Sequence, residues 1–499
     1  MLSGLVSGVM QNSSVQDRAR RRLTRRVLGT LVARAPLVAM CIACAVLVTL
    51  PACNLGPRYH RPDIPPPASW ATASVASAPE WPTTEWWRGF QSDELNDFIA
   101  QAEHANDDLR AAIARVREAD AQRRIAGAPL LPTVTAGATA QRARAQVPGG
   151  EIVTGNAFSP LLNASYELDF WGKNRAALAS ATASARASRY DRETVELGVL
   201  AGVAGTYFQA LALRDRLATA DANLENATKI LHGLRLEQHA GLATALDVAQ
   251  QETVVATVNA TIPPLRQQLR QSLDALAILL GTTPESVDIT HGSLDELGQP
   301  PVQPGLPSEL LTRRPDVASA EAQLVAANAN IAAARAAFFP SISLTASGGY
   351  ASPALAALVT PANRVWSVGA GLTQPIFQGG ALVGQYQLAK GHYEELLADY
   401  HKAVISALAN VEDALIGLQQ TTLLVQRQQE AAVAAQRAYE FAQRQMRAGT
   451  INVLTLLNTE TALFSARDAL AQAKFAHLQA LVQLYQALGG GWQPEQEHL

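Results

Sequence analysis

The chain repeats itself at a spacing of 208 residues, and no other feature limits its fold so tightly. Residues 108–134 (DLRAAIARVREADAQRRIAGAPLLPTV) align with residues 316–342 (DVASAEAQLVAANANIAAARAAFFPSI), which puts Pro132 on Pro340. Gly241 falls on Gly449, Glu252 on Glu460, and Leu280-Gly281 on Leu488-Gly489. Phe170-Trp171-Gly172 falls on Phe377-Gln378-Gly379 with the offset shortened by one. An offset held over roughly 170 residues marks a duplication. The chain reads as two copies of one unit, 95–285 and 308–490. A Pro-rich linker within 286–307 joins them, residues 53–94 precede them, and a tail at 491–499 follows.

Each copy has the same internal order. The first opens on a helix over 95–127, stopped by Pro132. An alternating stretch, Thr133-Val134-Thr135-Ala136-Gly137, leads to a loop at 147–155 and a second strand-like stretch at 159–168. The second copy gives strands near 341–350 and 364–372 around a loop at 352–363. After Gly172 a long helical pattern begins. Leu197, Leu200, Ala204, Tyr207 and Leu211 are spaced 3-4-3-4, and Leu217, Ala220, Leu224, Ala227, Leu231 and Leu234 resume the pattern after a phase shift. Leu463, Ala466, Leu470, Ala473, Ala480, Leu484 and Ala487 repeat it in the second copy, with His477 as the exception. Such seams predict antiparallel helices packed as coiled coils. A helix over 173–239, at 1.5 Å per residue, runs roughly 100 Å. Hydrophobic residues make up 48% but aromatics only 6%, which suits Ala-rich helices in close contact better than a thick mixed core.

The fold class is therefore mostly α with a small β part. Four short strands cannot close a barrel, which in lipid tolerates no open edge. Three copies sharing strands would give a twelve-stranded barrel, and their long helices would close a wider α-barrel beside it.

The N-terminus reads as a targeting signal. Arg18, Arg20, Arg21, Arg22, Arg25 and Arg26 form a basic region ahead of an apolar run over 35–50. Leu50-Pro51-Ala52-Cys53 resembles a bacterial lipobox, so residues 1–52 would be a signal peptide and Cys53 the lipid-bearing first residue. Asn54 in place of Asp favours the outer membrane. Residues 1–52 carry seven Arg and one Asp, so their loss takes the net charge from −3 to −9, which argues against nucleic acid as a partner. Cys41 and Cys44 leave with the signal, so no disulfide is expected within the chain.

Catalytic signatures are missing from the sequence. It has no His-Glu-x-x-His or Gly-x-Ser-x-Gly, its Cys-x-x-Cys (Cys41-Ile42-Ala43-Cys44) falls within the signal region, and Gly172-Lys173 lacks the P-loop spacing before it. No enzyme, metal site or cofactor is expected beyond the covalent lipid on Cys53.

Leu306-Pro307-Ser308-Glu309-Leu310-Leu311-Thr312-Arg313-Arg314-Pro315-Asp316-Val317, followed by Ala320-Glu321, resembles a segment of the NodT-type, OprM-like lipoproteins among the TolC-type outer-membrane efflux channels. So do Gly56-Pro57-Arg58-Tyr59, Trp86-Trp87-x-x-Phe90 with Leu95-Asn96, and Leu488-Gly489-Gly490-Gly491-Trp492. The resemblance implies a homotrimer in the outer membrane, served by a periplasmic adaptor and an inner-membrane pump. Residues 54–94, the linker and the C-terminus would form an equatorial belt, with Trp81, Trp86 and Trp87 packed there. Tyr350 and Trp366 would join an interfacial aromatic belt.

By the same resemblance, docking and gating lie where paired helices turn at the periplasmic tip. Gly241, Leu242, Gly449 and Thr450 would contact the adaptor; Gly permits the positive φ of a sharp turn. Leu454 falls on the family's apolar constriction. Thr455 and Asn458 fall on acidic positions without being acidic. Met446, Ile451, Leu246 and Asp247 fall on positions that link the tips, and only Asp247 keeps a charge. A shut state held by apolar contact is therefore expected. A lipid-anchored adaptor or coiled-coil scaffold would share the anchor and the helices, but would not need strand pairs at equal places in both copies.

Overall fold

A computed structural model describes residues 56–71, 81–146, 148–150, 152–289, 292–302 and 305–493. Cys53 and the signal region lie outside them. Gly56–Asp169 and Lys173–Leu499 form one compact unit, which holds every element named below. Phe170–Gly172 belong to a second unit, within which the Phe170 and Trp171 rings meet edge to face at 4.8 Å.

The first copy runs α1 (Asp93–Ala105), α2 (Asp107–Gly127), β1 (Thr133–Gln146), β2 (Ile152–Leu168), α3 (Lys173–His239) and α4 (Ala245–Leu279). The second runs α5 (Pro315–Ala336), β3 (Ser341–Tyr350), β4 (Arg364–Thr373), α6 (Ala381–Arg447) and α7 (Val453–Ala487). Corresponding long helices match residue for residue: α3 and α6 have 67 residues each, α4 and α7 have 35 each. The heptad seams are where burial falls, on Leu200, Ala204, Tyr207, Leu211, Ala220, Ala227, Leu231 and Leu234 of α3. His477 interrupts the α7 seam yet is buried too, its Nδ1 within 3.5 Å of the Thr421 and Thr422 hydroxyls. Helix α4 continues through Pro263-Pro264. The flanking Ile262 and Leu265 are buried against Leu213 and Ala220 of α3, and this packing holds the segment despite the missing donors.

The expected single helix over 95–127 is in fact two. Asn106 takes an extended conformation (φ −62°, ψ 128°) between α1 and α2. Its Oδ1 accepts from Leu109 N at 2.9 Å, a standard N-cap. Its Nδ2 donates to the carbonyl of Leu279, the last residue of α4, at 2.8 Å. At the matching place in the second copy Arg314 donates from Nη1 to the carbonyl of Ala487, the last residue of α7, at 3.1 Å. Arg314 also pairs with Asp316 through Nε at 2.9 Å and Nη2 at 2.6 Å. Beyond each helix end a glycine turns with positive φ, Gly281 at 62° and Gly489 at 85°, and an added Cβ would strike the carbonyl of Ala105 or Arg313. The Arg313-Arg314-Pro315-Asp316 segment is thus a splice that ties the start of a copy to its end.

The sheet is antiparallel in the order β1-β2-β3-β4. Strands β1 and β2 are longer than the alternation foretold, and the loop between them shorter. Past Ala140 the residues Gln141, Arg142, Ala143, Arg144 and Ala145 lose the apolar contrast that marks a strand, while the backbone pairs on from Gln141↔Ala157 to Gln146↔Ile152. Register sorts side chains onto two faces. One face carries Thr133, Thr135, Thr139, Asn163, Ser165, Ser343, Thr345, Ser347 and Ser367, with Val153, Leu161 and Val365 among them. The other carries Val134, Ala136, Ala138, Leu162, Ala164, Leu344, Trp366, Val368 and Leu372.

Midway along the long helices lies the main core. Trp86, Trp87 and Phe90 pack with Leu95 and Ile99 against Val203, Tyr207, Phe208, Leu276, Leu481 and Tyr485. Trp86 stacks on Tyr485 at 5.0 Å. A second cluster sets Trp70 and Leu310 with Tyr400, Val404 and Leu484. Each such fully buried side chain contributes about 1.5–3 kcal/mol.

Candidate functional site

The two helix hairpins end in the same turn. In the first, Leu242 N donates to Glu237 O at 2.8 Å and Gly241 N to Gln238 O at 3.0 Å. In the second, Thr450 N donates to Gln445 O at 3.0 Å and Gly449 N to Met446 O at 3.0 Å. These are Schellman closures, and they require the left-handed residue that Gly241 (φ 75°) and Gly449 (φ 71°) supply. Nothing lies within 4 Å of a Cβ built on either glycine, so backbone conformation, not close approach, demands them.

The return helices are capped in register. Thr244 Oγ1 accepts from Asp247 N at 3.2 Å, and Asp247 Oδ2 accepts from Thr244 N at 2.8 Å and from its hydroxyl at 2.7 Å. In the second hairpin Asn452 Oδ1 accepts from Thr455 N at 3.0 Å and from its hydroxyl at 2.8 Å. Asp247 and Thr455 therefore occupy equivalent positions, but only Asp247 completes a capping box. The Thr244 hydroxyl, with its N–H, holds the Asp247 carboxyl below its usual value.

Leu246 and Leu454 occupy equivalent places one residue earlier. Both are exposed, at 65% and 48%, as is Leu242 at the turn, at 81%. Asn458 lies one turn beyond Leu454, also exposed. Met446 and Ile451 sit elsewhere. Met446 packs against two apolar clusters that join the hairpins, one of Leu231, Leu234, Val248, Val453 and Leu457, the other of Tyr439, Ala442, Leu456 and Leu463. Ile451 packs against the second. Within one chain the two hairpins are thus held together near the tip by apolar contact.

Farther inside, the structure brings together four polar residues that the sequence reading did not single out as a group. Asn226 of α3 donates to Tyr439 Oη of α6 at 2.6 Å and to Glu460 Oε1 of α7 at 3.2 Å. Gln251 of α4 lies against the same carboxyl and donates to Ala227 O at 2.8 Å. Glu460 and Gln251 are fully buried. Glu460 Oε2 and Gln251 Oε1 have no hydrogen-bond partner among the described residues. Burial pushes the Glu460 carboxyl up to about 7, against the smaller opposing effect of hydrogen bonds from Gln251 and Asn226. The legible signal was an acid placed between Leu456, Leu457 and Leu463, at core spacing. Among the described residues no group of three or more His, Cys, Asp or Glu could hold a metal ion.

The model of the outer membrane efflux protein family matches the chain twice, over residues 98–282 and 306–490. The two matches stand at the spacing of the duplication. The chain belongs to the outer membrane efflux protein family. Over 458 residues it is 40% identical to the pyoverdine export outer membrane protein OpmQ of Pseudomonas aeruginosa, covering 90% of this chain and 96% of that one. It is 33% identical to the probable efflux pump outer membrane protein TtgC of Pseudomonas putida, over 88% of this chain and 93% of that one. Among solved structures it superposes on the outer-membrane channel OprN with a TM-score of 0.83 and 31% identity, over 89% of this chain and 100% of that one. It superposes on the Neisseria gonorrhoeae MtrE outer membrane channel with a TM-score of 0.81 and 29% identity, over 88% and 99%. The protein is an outer-membrane efflux channel of the Gram-negative envelope, its helices extending into the periplasm, and the scaffold alternative is set aside.

Proposed function

We propose that three copies close into one passive duct, which takes cargo from a periplasmic adaptor and an inner-membrane pump and releases it outside the cell. The observation that carries this reading is the sheet. Its two edges, β1 and β4, are open in the single chain, and it has one apolar and one hydroxyl-lined face. Three such sheets, edge to edge, remove every open edge, turn the apolar face to lipid and line the lumen with Ser and Thr. Such a lumen grips no particular solute, and relatives are named for pyoverdine export, toluene efflux and cation efflux. Specificity then belongs to the pump. Cys53 would carry the lipid anchor.

The gate on this reading is a ring of Leu246 and Leu454, six leucines from three chains, with Asn458 and Thr455 beside them. Gly241, Leu242, Gly449 and Thr450 form the docking turns. The test is a photo-crosslinker at Leu242 or Thr450 in living cells, with mass spectrometry of what it traps. A periplasmic adaptor is the expected capture; correct outer-membrane assembly with no adaptor captured at either position overturns the docking assignment. Planar-bilayer conductance tests the gate. Leu246→Ser with Leu454→Ser should raise it several-fold, while Asp247→Asn should leave divalent-cation sensitivity unchanged. Tight divalent block lost in Asp247→Asn would make Asp247 the gating group instead.

A further inference from the structure

Three guanidinium groups at the far end of the sheet make no ion pair or side-chain hydrogen bond among the described residues. Arg142 and Arg144 are exposed on β1, and Arg364 is exposed at the start of β4. Register decides which way they face. Arg142 and Arg144 alternate in step with Val134, Ala136, Ala138 and Ala140, opposite Asn156 and Thr154. Arg364 alternates in step with Trp366, Val368 and Leu372, opposite Tyr350. All three therefore lie on the apolar face, not on the hydroxyl-lined one.

Their height is set by the aromatics. Phe158 stands opposite Ala140, one same-face step inward of Arg142, and Trp366, 78% exposed, stands one step inward of Arg364. Such a step is about 7 Å. Aromatic side chains on a lipid-facing surface mark the border of the hydrocarbon. Arg142 and Arg144 stand just beyond Phe158, and Arg364 just beyond Trp366, each on the side away from the periplasmic helices.

The rest follows if three copies close the barrel, so this inference rests on the proposed trimer. The row Val365–Gly349–Leu161–Gly137 places the start of β4 level with the middle of β1 in the same sheet. Closing a tilted barrel needs stagger between sheets. Only a shift toward the β1–β2 hairpin sets the ten residues of β4 fully against the β1 of the next copy. That shift raises Arg364 toward Arg142 and Arg144 of the next copy. We propose that at each of the three seams these arginines form a site for the phosphates of an anionic lipid of the outer leaflet. Planar guanidinium forks suit phosphate oxygens, and among the described residues none of the three arginines meets a carboxylate.

Native mass spectrometry of the detergent-released protein tests this. The probes are bis-phosphorylated lipid A, the same lipid stripped of phosphate, and inorganic phosphate as competitor. Up to three phosphorylated lipids should be retained per trimer. Arg142→Gln/Arg144→Gln/Arg364→Gln trimers should retain them roughly tenfold more weakly or worse, as expected for losing charge-assisted contacts. A control lacking three exposed helical arginines, Arg88→Gln/Arg110→Gln/Arg427→Gln, should retain them unchanged. Should the triple variant not assemble, Arg142→Gln and Arg144→Gln singly should each weaken retention. Equal retention by wild type and variants, equal retention of the dephosphorylated lipid, or displacement by equimolar inorganic phosphate each overturns the site. If the unsubstituted protein yields no trimer, the trimeric reading falls; a trimer indifferent to phosphorylated lipid overturns this site alone.

Discussion

Glu460 gives the helix tip a dependence on pH. Its carboxyl is raised from 4.5 to about 7 in the folded chain by burial. Below pH 4.5 it is protonated folded or unfolded and makes no difference. Between 4.5 and 7 the unfolded chain releases the proton while the folded one keeps it, so stability falls as pH rises, then levels off above 7. Hydrogen-exchange protection of the tip half of α7 should decline across that window, and Glu460→Gln should flatten the profile. A profile that rises with pH would mean the carboxylate is the favoured form in the fold. Glycines on the two sides of the hairpin differ in kind. Gly449→Ala meets nothing within 4 Å and should cost only the strain of its positive φ, about 1–2 kcal/mol. Gly489→Ala would drive a Cβ into the Arg313 carbonyl and should abolish heat-resistant assembly on gels, where Gly449→Ala keeps it. The sequence showed Glu460 only as a partner of Glu252 in the repeat. Its role was hidden because an acid among leucines acquires meaning only when three other helices supply an amide, a phenol and an amide beside it.

At the scale of elements, the ends of the copies are held by different chemistry at one place. Arg314 is almost fully buried, and removing it takes the donor from the Ala487 carbonyl, while Asp316, partly exposed, keeps water and the Val317 N–H. Arg314→Ala should destabilise by about 1–3 kcal/mol, read as an earlier thermal loss of native assembly, and Asn106→Ala by about 1–2 kcal/mol. The long helices were legible because a seam repeated over many turns leaves little choice, and α3 runs over 173–239 as its heptads required. The break at Asn106 was not, although Asn106-Asp107-Asp108 is a helix-start signal. The pattern of small and apolar residues on either side continued through it. Strand ends were lost for the opposite reason: Arg142 and Arg144 stand where lipid gives way to headgroups, so alternation no longer separates apolar from polar.

In the proposed barrel, adjacent residues of one strand meet different solvents. Ser367 and Val368 are neighbours in β4 but face opposite ways. Val368→Arg should impair membrane assembly, at about 2–4 kcal/mol per chain near mid-bilayer. Ser367→Arg should assemble normally and shift the zero-current potential of planar bilayers toward anion preference. If both variants assemble and conduct alike, the sheet does not separate lipid from lumen as described.

The matched lengths of the helices also constrain how such a chain can change its size. A heptad is about 10.5 Å of helix. Inserted in α3 alone it would buckle the hairpin against α4; inserted in α3 and α4 it would push one tip beyond its counterpart and take Leu246 out of plane with Leu454. Lengthening that keeps the end level needs four insertions at once, two in each copy. A lineage fitted to one width of envelope is therefore held there, since every single-step change of reach first passes through an uneven mouth.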